Sequence, residues 1–293
     1  MRIVFIGSVV FSEITLKTLL SLNVNIVGII TKEESNFNSD FVNLNEIALK
    51  HNIPCKYVND INHANNISWI ENLNPDIIFC FGWSNLLKKQ LLNFAPMGVI
   101  GYHPSLLPFN KGRHPIIWAK VLGLEKTGST FFFMNEKADA GEILSQAEVS
   151  IMFEDDAMDI YNKINDISII QIKEFLPKLI SKTHQKTPQQ GEGNIWRKRN
   201  KDDGKIDFRM TTKSIINLIR GLTRPYPGAH CFFENQEIII WKAVPGTFNC
   251  ENIEPGKVIS VLNNKIEVKT GDSSILFVEH NFDKIPNAGS YLF

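Results

Sequence analysis

Over residues 2–81, short apolar runs alternate with stretches of helical periodicity, and that alternation limits the fold more than any other feature of the chain. Arg2-Ile3-Val4-Phe5-Ile6-Gly7 reads as a buried strand ending in a turn. Ser12 then offers a cap for a helix in which Leu16, Leu19 and Leu20 keep helical spacing. A strand over 26–31, a helix over 43–51, a short strand over 54–57, a helix over 67–73 and the apolar run 76–81 continue the series. Such a chain builds an α/β, Rossmann-like, mostly parallel sheet with helices on both faces, and ligands of such sheets sit outside the carboxyl ends of the strands. Phe81-Gly82-Trp83 and Gly101-Tyr102-His103 each close a predicted strand, where that rule places binding groups.

Further along, a strand over 129–134 precedes a loop around Asp139, and 142–151 reads as its returning partner. Asp155-Asp156 offers an N-cap for an amphipathic helix running to Leu176, where Pro177 interrupts it. The polar, glycine-containing stretch 181–205 reads as an interdomain linker. After a short helix over 213–222, β-rich runs at 229–233, 237–244, 256–262, 265–270 and 274–279 are the pattern of a small antiparallel barrel of the oligonucleotide-fold type. The expected division is 1–190 for the first domain and 191–293 for the β-rich second one.

With 31 basic and 31 acidic residues and a pI near 7.1, no global charge advertises a nucleic-acid partner, although a local basic patch is compatible with these numbers. Cys55, Cys80, Cys231 and Cys250 form no C-x-x-C, so the expectation is reduced thiols and no metal site. No apolar run approaches a membrane span and the start lacks a signal-peptide pattern, so the chain reads as soluble and cytoplasmic. Gly7-Ser8 is not a dinucleotide fingerprint and no Walker sequence occurs, which disfavours a redox enzyme on this sheet.

The chemistry-bearing residues cluster in the middle of the chain. His103 heads His103-Pro104-Ser105-Leu106-Leu107-Pro108, whose prolines stiffen the turn, and a histidine titrates closest to neutral pH. Taken alone, a histidine before a proline is more often structural. Asp139 lies in Ala138-Asp139-Ala140-Gly141, where small neighbours admit a substrate, or where the carboxylate closes an Asx-turn. Lys111 and Arg113, in Lys111-Gly112-Arg113-His114-Pro115, form either a phosphate clamp beside a helix start or a solvated turn.

Taken together, the His103–Pro108 run, Lys111-Gly112-Arg113-His114-Pro115, Thr127-Gly128-Ser129-Thr130, Ala138-Asp139-Ala140-Gly141 and Pro225-Tyr226-Pro227-Gly228-Ala229 resemble the N10-formyltetrahydrofolate-dependent formyltransferases over nearly the whole chain. The resemblance implies His103 as proton shuttle, Asp139 as its support, and no metal. It also implies an asparagine two residues before the histidine to steady the formyl oxygen, and that position is Gly101 here. Ser84, Asn85, Tyr102, protonated His103 or a backbone N–H are the substitutes. N10-formyltetrahydrofolate is the implied co-substrate, in a pocket formed by Phe81, Gly82, Trp83, Leu86 and Ala138, although Phe81 and Leu86 are also readable as core.

Within the family the β-rich tail counts against a purine-pathway ribonucleotide as acceptor and the neutral charge against methionyl-tRNA, while Arg199-Asn200-Lys201-Asp202-Asp203-Gly204 and Lys111-Gly112-Arg113 resemble the sugar-nucleotide enzymes. A nucleotide-linked amino sugar of surface-glycan or lipopolysaccharide synthesis is therefore the expected acceptor, with methionyl-tRNA as the alternative. Lys111, Arg113, Arg199 and Tyr226 are the expected acceptor contacts, with Arg199 also readable as a solvated charge and Tyr226 as a domain anchor. A homodimer is compatible with the resemblance. The competing class is a non-catalytic folate or sugar-nucleotide binder, for which Gly101 is the best argument.

Overall fold

The computed structural model describes residues 1–35, 39–248 and 251–293. In chain order the elements are β1 (Arg2–Ile6), α1 (Val10–Ser21), β2 (Asn25–Thr31), α2 (Asn45–Lys50), β3 (Cys55–Tyr57), α3 (Ala64–Asn72), β4 (Ile77–Cys80), α4 (Lys89–Leu92) and β5 (Val99–His103). Next come β6 (Lys111–Gly112), α5 (Pro115–Val121), β7 (Lys126–Phe133), β8 (Ile143–Ser150), α6 (Ala157–Ile180) and β9 (Ile195–Trp196). The remainder is a 3-10 turn (Asp202–Gly204), α7 (Thr212–Leu222), β10 (Ala229–Phe233), β11 (Gln236–Pro245), β12 (Val258–Leu262), β13 (Lys265–Lys269) and β14 (Ser274–His280).

Two compact units result, one of 1–112, 127–149 and 162–196, the other of 113–126, 150–161 and 197–293. Where the sequence reading placed one boundary at 190–191, the second unit also takes earlier segments. The physical reason is visible in α5, whose Ile117 and Val121 belong to the same apolar core as Ile215, Ile219 and Phe277.

The first unit is built on a seven-stranded sheet in the order β3-β2-β1-β4-β5-β7-β8. The β1–β2, β2–β3, β1–β4 and β4–β5 pairs are parallel, as the strand and helix alternation predicts, and β5–β7 is antiparallel. Both faces of the central strands are buried: Val4 and Ile6 pack with Ile30, Ile78 and Leu91, while Phe5 lies edge-on to Phe81. Strand order reverses between β1 and β4, so the switch point of the sheet lies between the turns that follow them.

Three local expectations change. Ser12 does not precede its helix: α1 begins at Val10, and the Ser12 hydroxyl, inside the first turn, accepts from the N–H groups of Ser8 and Val9 and donates to the Phe81 carbonyl. Pro177 does not end α6, which runs on to Ile180, because a proline so near the end forfeits one backbone bond and the Pro177 carbonyl still accepts from Ser181. The stretch 181–205 is no free linker, since Thr187 exchanges backbone bonds with Ile143 and Ile195–Trp196 pairs in parallel with Lys111–Gly112.

In the second unit β10-β11-β14-β13-β12 form a five-stranded sheet with antiparallel pairs. Glu234-Asn235 and Asn263-Asn264 turn two of its hairpins with positive φ at both residues, as a tight hairpin requires. The edge strands do not stay open. Val258 donates to the Ser290 carbonyl and Leu292 to that of Gly256, while Phe293 and Phe232 exchange two backbone bonds, so residues 290–293 join one edge to the other as a barrel.

Burial pushes the Cys80 and Cys231 thiols up to about 12 and that of Cys55 to about 11, while Cys250 lies outside the described residues. Among the described residues no helix is long and apolar enough to cross a membrane, and no group of three or more His, Cys, Asp or Glu side chains could hold a metal ion.

One buried charge in this unit makes a stability signature. Lys120 is 2% exposed, and its Nζ donates to the carbonyls of Met152 and Phe153 at 3.1 and 2.8 Å. Burial, reinforced by Arg220, lowers its pKa from 10.5 to about 8. Below about pH 8 it is charged in both folded and unfolded chains, and between about 8 and 10.5 the unfolded chain holds the extra proton. Stability from this group therefore rises with pH in that window, by up to about 1.4 kcal/mol per pH unit. We expect the urea midpoint of the parent, relative to Lys120→Met, to climb between pH 8 and 10; a difference that stays flat or falls contradicts the assignment.

Candidate active site

Strand alternation decides what β5 presents. Tyr102 turns toward the core, where its ring stacks on Phe11 at 4.0 Å between centroids and tilts against Phe131 at 4.8 Å. Its hydroxyl donates to Ser129 Oγ, and burial holds its pKa well above the ordinary phenol range. Gly101 and His103 therefore share the opposite face.

The turn after His103 is tied down by the strands beside it. Thr127 Oγ1 donates to the Pro104 carbonyl, Thr130 Oγ1 to that of Ser105 at 2.6 Å, and Gln146 Nε2 to that of Leu107. Ser105 Oγ closes the turn on the Phe109 carbonyl. The Thr127-Gly128-Ser129-Thr130 run thus has a function in fixing His103, which the sequence did not disclose.

His103 is 5% exposed, and its Nδ1 lies 3.7 Å from Asp139 Oδ1. Its Nε2 is 2.9 Å from the carbonyl oxygen of Asn110. A carbonyl can only accept, so Nε2 carries the hydrogen and the neutral ring keeps its lone pair at Nδ1, toward Asp139. A proton taken up at Nδ1 makes an imidazolium with an acceptor on each side.

Asp139 occupies the left-handed region with φ 53°, and its Oδ2 accepts from the Gly112 N–H at 3.2 Å. Gly112 must be glycine for that contact, because its φ is 98° and a Cβ would stand 2.3 Å from the Trp196 carbonyl oxygen.

A Cβ at Gly101 would lie 2.7 Å from Met134 Cγ and 3.1 Å from Phe132 Cζ, so an asparagine there requires the Met134 side chain to shift. Of the substitutes, Tyr102 is committed to the interior, and the Asn85 amide donates to the Asn59 carbonyl at 3.3 Å.

At the switch point two buried polar atoms, Ser8 Oγ and Trp83 Nε1, have no hydrogen-bond partner among the described residues. Lys32 Nζ stands 5.3 Å from the Trp83 ring. An indole N–H only donates and a hydroxyl does either, so the two atoms together can bond a group that carries both an acceptor and a donor. Gly82 has φ 71°, Leu86 is 65% exposed, and Ala138 is exposed beside Asp139.

Phe81 departs from its expected pocket role. It is fully buried against Phe5, Phe79 and Phe131, and its own N–H and carbonyl are bonded to Ile6 and Ser12. It is a core residue.

The residues expected to hold an acceptor separate between the units. Lys111 is half-buried in β6 of the first unit, and Arg113, Arg199 and Tyr226 belong to the second. Arg199 is not a solvated charge: it is 7% exposed, stacks 4.6 Å from the Trp118 ring and donates to the Asp203 carbonyl. Tyr226 packs against the apolar core of its unit. Burial, then Arg113, Arg199 and Lys198, lower the pKa of His114, so cations gather there in a chain whose total charge is balanced.

Residues 1–175 match the model of the formyl transferase family, and 198–291 that of the formyl transferase C-terminal domain. A bifunctional polymyxin resistance protein ArnA of Wigglesworthia glossinidia brevipalpis is 33% identical over 233 residues, covering 78% of this chain and 36% of that protein. The chain thus spans about a third of that relative. Among solved structures, the sugar 3N-formyl transferase WlaRD, crystallised in the presence of dTDP and 5-N-formyl-THF, has a TM-score of 0.72 at 19% identity, over 97% of this chain and 99% of that one. An N-formyltransferase of Helicobacter canadensis, complexed with folinic acid and dTDP-3-aminofucose, has 0.71 at 17%, over 94% and 98%. HypX of Aquifex aeolicus with tetrahydrofolic acid has 0.68 at 17% and is matched over 44% of its length, against 97% of this chain. At such identities these structures share the fold.

The crowding at Gly101 is directly testable. Gly101→Asn should cost about 1–3 kcal/mol of stability, as overpacking typically does. Adding Met134→Ala should recover part of the loss in urea unfolding; a stable single variant would show that the site has room.

Proposed function

The chain belongs to the formyl transferase family, and from that membership we propose that it transfers a formyl group from N10-formyltetrahydrofolate to the amine of a nucleotide-linked amino sugar. The observation that carries this reading is the His103–Asp139 pair, 3.7 Å apart, with the far ring nitrogen held by a carbonyl. Support for the acceptor class comes from the structural relatives crystallised with dTDP and dTDP-3-aminofucose, from the balanced charge, and from the cations around His114. Surface-glycan or lipopolysaccharide synthesis is the setting that the ArnA relative suggests.

In this reading the folate supplies the activated formyl group, and Trp83, Ser8, Gly82, Leu86 and Ala138 line its place. Lys111 and Arg113 serve the diphosphate of the acceptor, while Arg199 acts through its stack on Trp118 to shape the segment that carries the cations. His103 accepts a proton at Nδ1 as the sugar amine bonds to the formyl carbon, and returns it to the folate nitrogen as the old C–N bond breaks. Asp139 stabilises the imidazolium between those events without itself being protonated. With no side chain at Gly101, no asparagine amide meets the developing oxyanion. Losing a dedicated donor typically costs about 2.7–4 kcal/mol, so slow turnover is expected.

The test supplies formyltetrahydrofolate with a panel of nucleotide-linked amino sugars and follows release of tetrahydrofolate. Turnover with at least one member is expected, with His103→Ala lowering kcat by about 100-fold or more and Asp139→Asn by a similar factor. Formylation of methionyl-tRNA with no sugar turnover would replace the acceptor. Saturable binding of both ligands without transfer would replace catalysis with binding.

A further inference from the structure

We propose that the segment 187–196 is a positioning element that holds both members of the His103–Asp139 pair, with Gln189 and Asn194 as its positioning residues. The inference rests on the reading that this pair moves the proton. Gln189 Nε2 donates to the carbonyls of Asp139, at 3.0 Å, and Gly141, at 2.8 Å. Both partners only accept, so the amide orientation is forced, and Gln189 Oε1 is left buried with no partner among the described residues. A buried acceptor without a donor is a standing cost, retained where the rest of the group is needed. The need is evident at Asp139, because a non-glycine residue in the left-handed region persists only where its surroundings hold it.

The same segment reaches the histidine. Asn194 Oδ1 accepts from the Asn110 N–H at 2.8 Å, and its carbonyl accepts from the Lys111 N–H at 3.0 Å. Asn110 in turn presents the carbonyl that fixes His103 Nε2. Between the two side chains, Gly193 passes so near the histidine turn that a Cβ would stand 2.0 Å from the Pro108 carbonyl oxygen. Thr187 anchors one end on Ile143, and Ile195–Trp196 anchors the other on Lys111–Gly112. A single stretch of chain therefore sets the tautomer of the base and the place of the carboxylate. A misplacement of about 1 Å at a reacting group can cost about 100-fold in rate.

The test compares Gln189→Leu, Gln189→Glu, Asn194→Ala and Asn194→Asp with the parent, by steady-state kinetics and by 15N NMR of the His103 ring without substrates. Gln189→Leu and Asn194→Ala should lose about tenfold or more in kcat while KM for folate and acceptor stays within about threefold. Gln189→Glu should lose kcat in the same way, because a carboxylate faces two carbonyls. Asn194→Asp keeps the acceptor and should restore most of kcat. In the parent the ring should show the Nε2-protonated tautomer, mixed in Asn194→Ala and restored in Asn194→Asp. Folded Gln189→Leu or Asn194→Ala protein with kcat within about twofold of the parent, or a tautomer unchanged in Asn194→Ala, would overturn the proposal. The NMR arm needs no turnover, so it judges the segment even where His103→Ala shows the pair to have no part in transfer.

Discussion

The packing of Tyr102 is the constraint on which the rest of the site depends. Its ring is stacked on Phe11 and pressed against Phe131, and its hydroxyl meets Ser129, which is itself bonded to Gln171 on α6. A strand that commits one residue so fully to the interior has no freedom left for the next. His103 must lie on the other face, toward Asp139, and one register slip of β5 would exchange the faces of the two side chains. The aromatic core is thus the ruler from which the site is measured, and Phe81 belongs to that ruler and not to the pocket.

What was legible in the chain follows from how local each signal is. The parallel sheet could be read because each strand and helix carries its own periodicity, and the hairpins of the second unit because Asn-rich turns punctuate them. His103 and Asp139 could be named because proline and glycine mark their turns. The clamp at 187–196 could not, since a glutamine and an asparagine in a polar stretch look like solvated chain until their distant carbonyl partners are known. Arg199 shows the same limit from the opposite side: its charge suggested a ligand, and only the fold discloses that Trp118 occupies its face.

Charge behaves similarly. The chain sums to zero, yet Arg113, Lys198 and Arg199 all act on His114, while Lys120 is buried beside Arg220. Balanced composition does not mean balanced neighbourhoods, and an anionic acceptor responds to the neighbourhood.

The closure of the barrel by residues 290–293 links its assembly to the order of synthesis. The second unit draws α5 from the middle of the chain and bonds Phe293 to Phe232, so its sheet cannot close until residue 293 has left the ribosome. The seven strands of the first sheet lie within residues 2–150 and are complete long before. During that interval Phe232 and Val258 sit on open strand edges, the condition in which nascent β-structure pairs with the wrong neighbour.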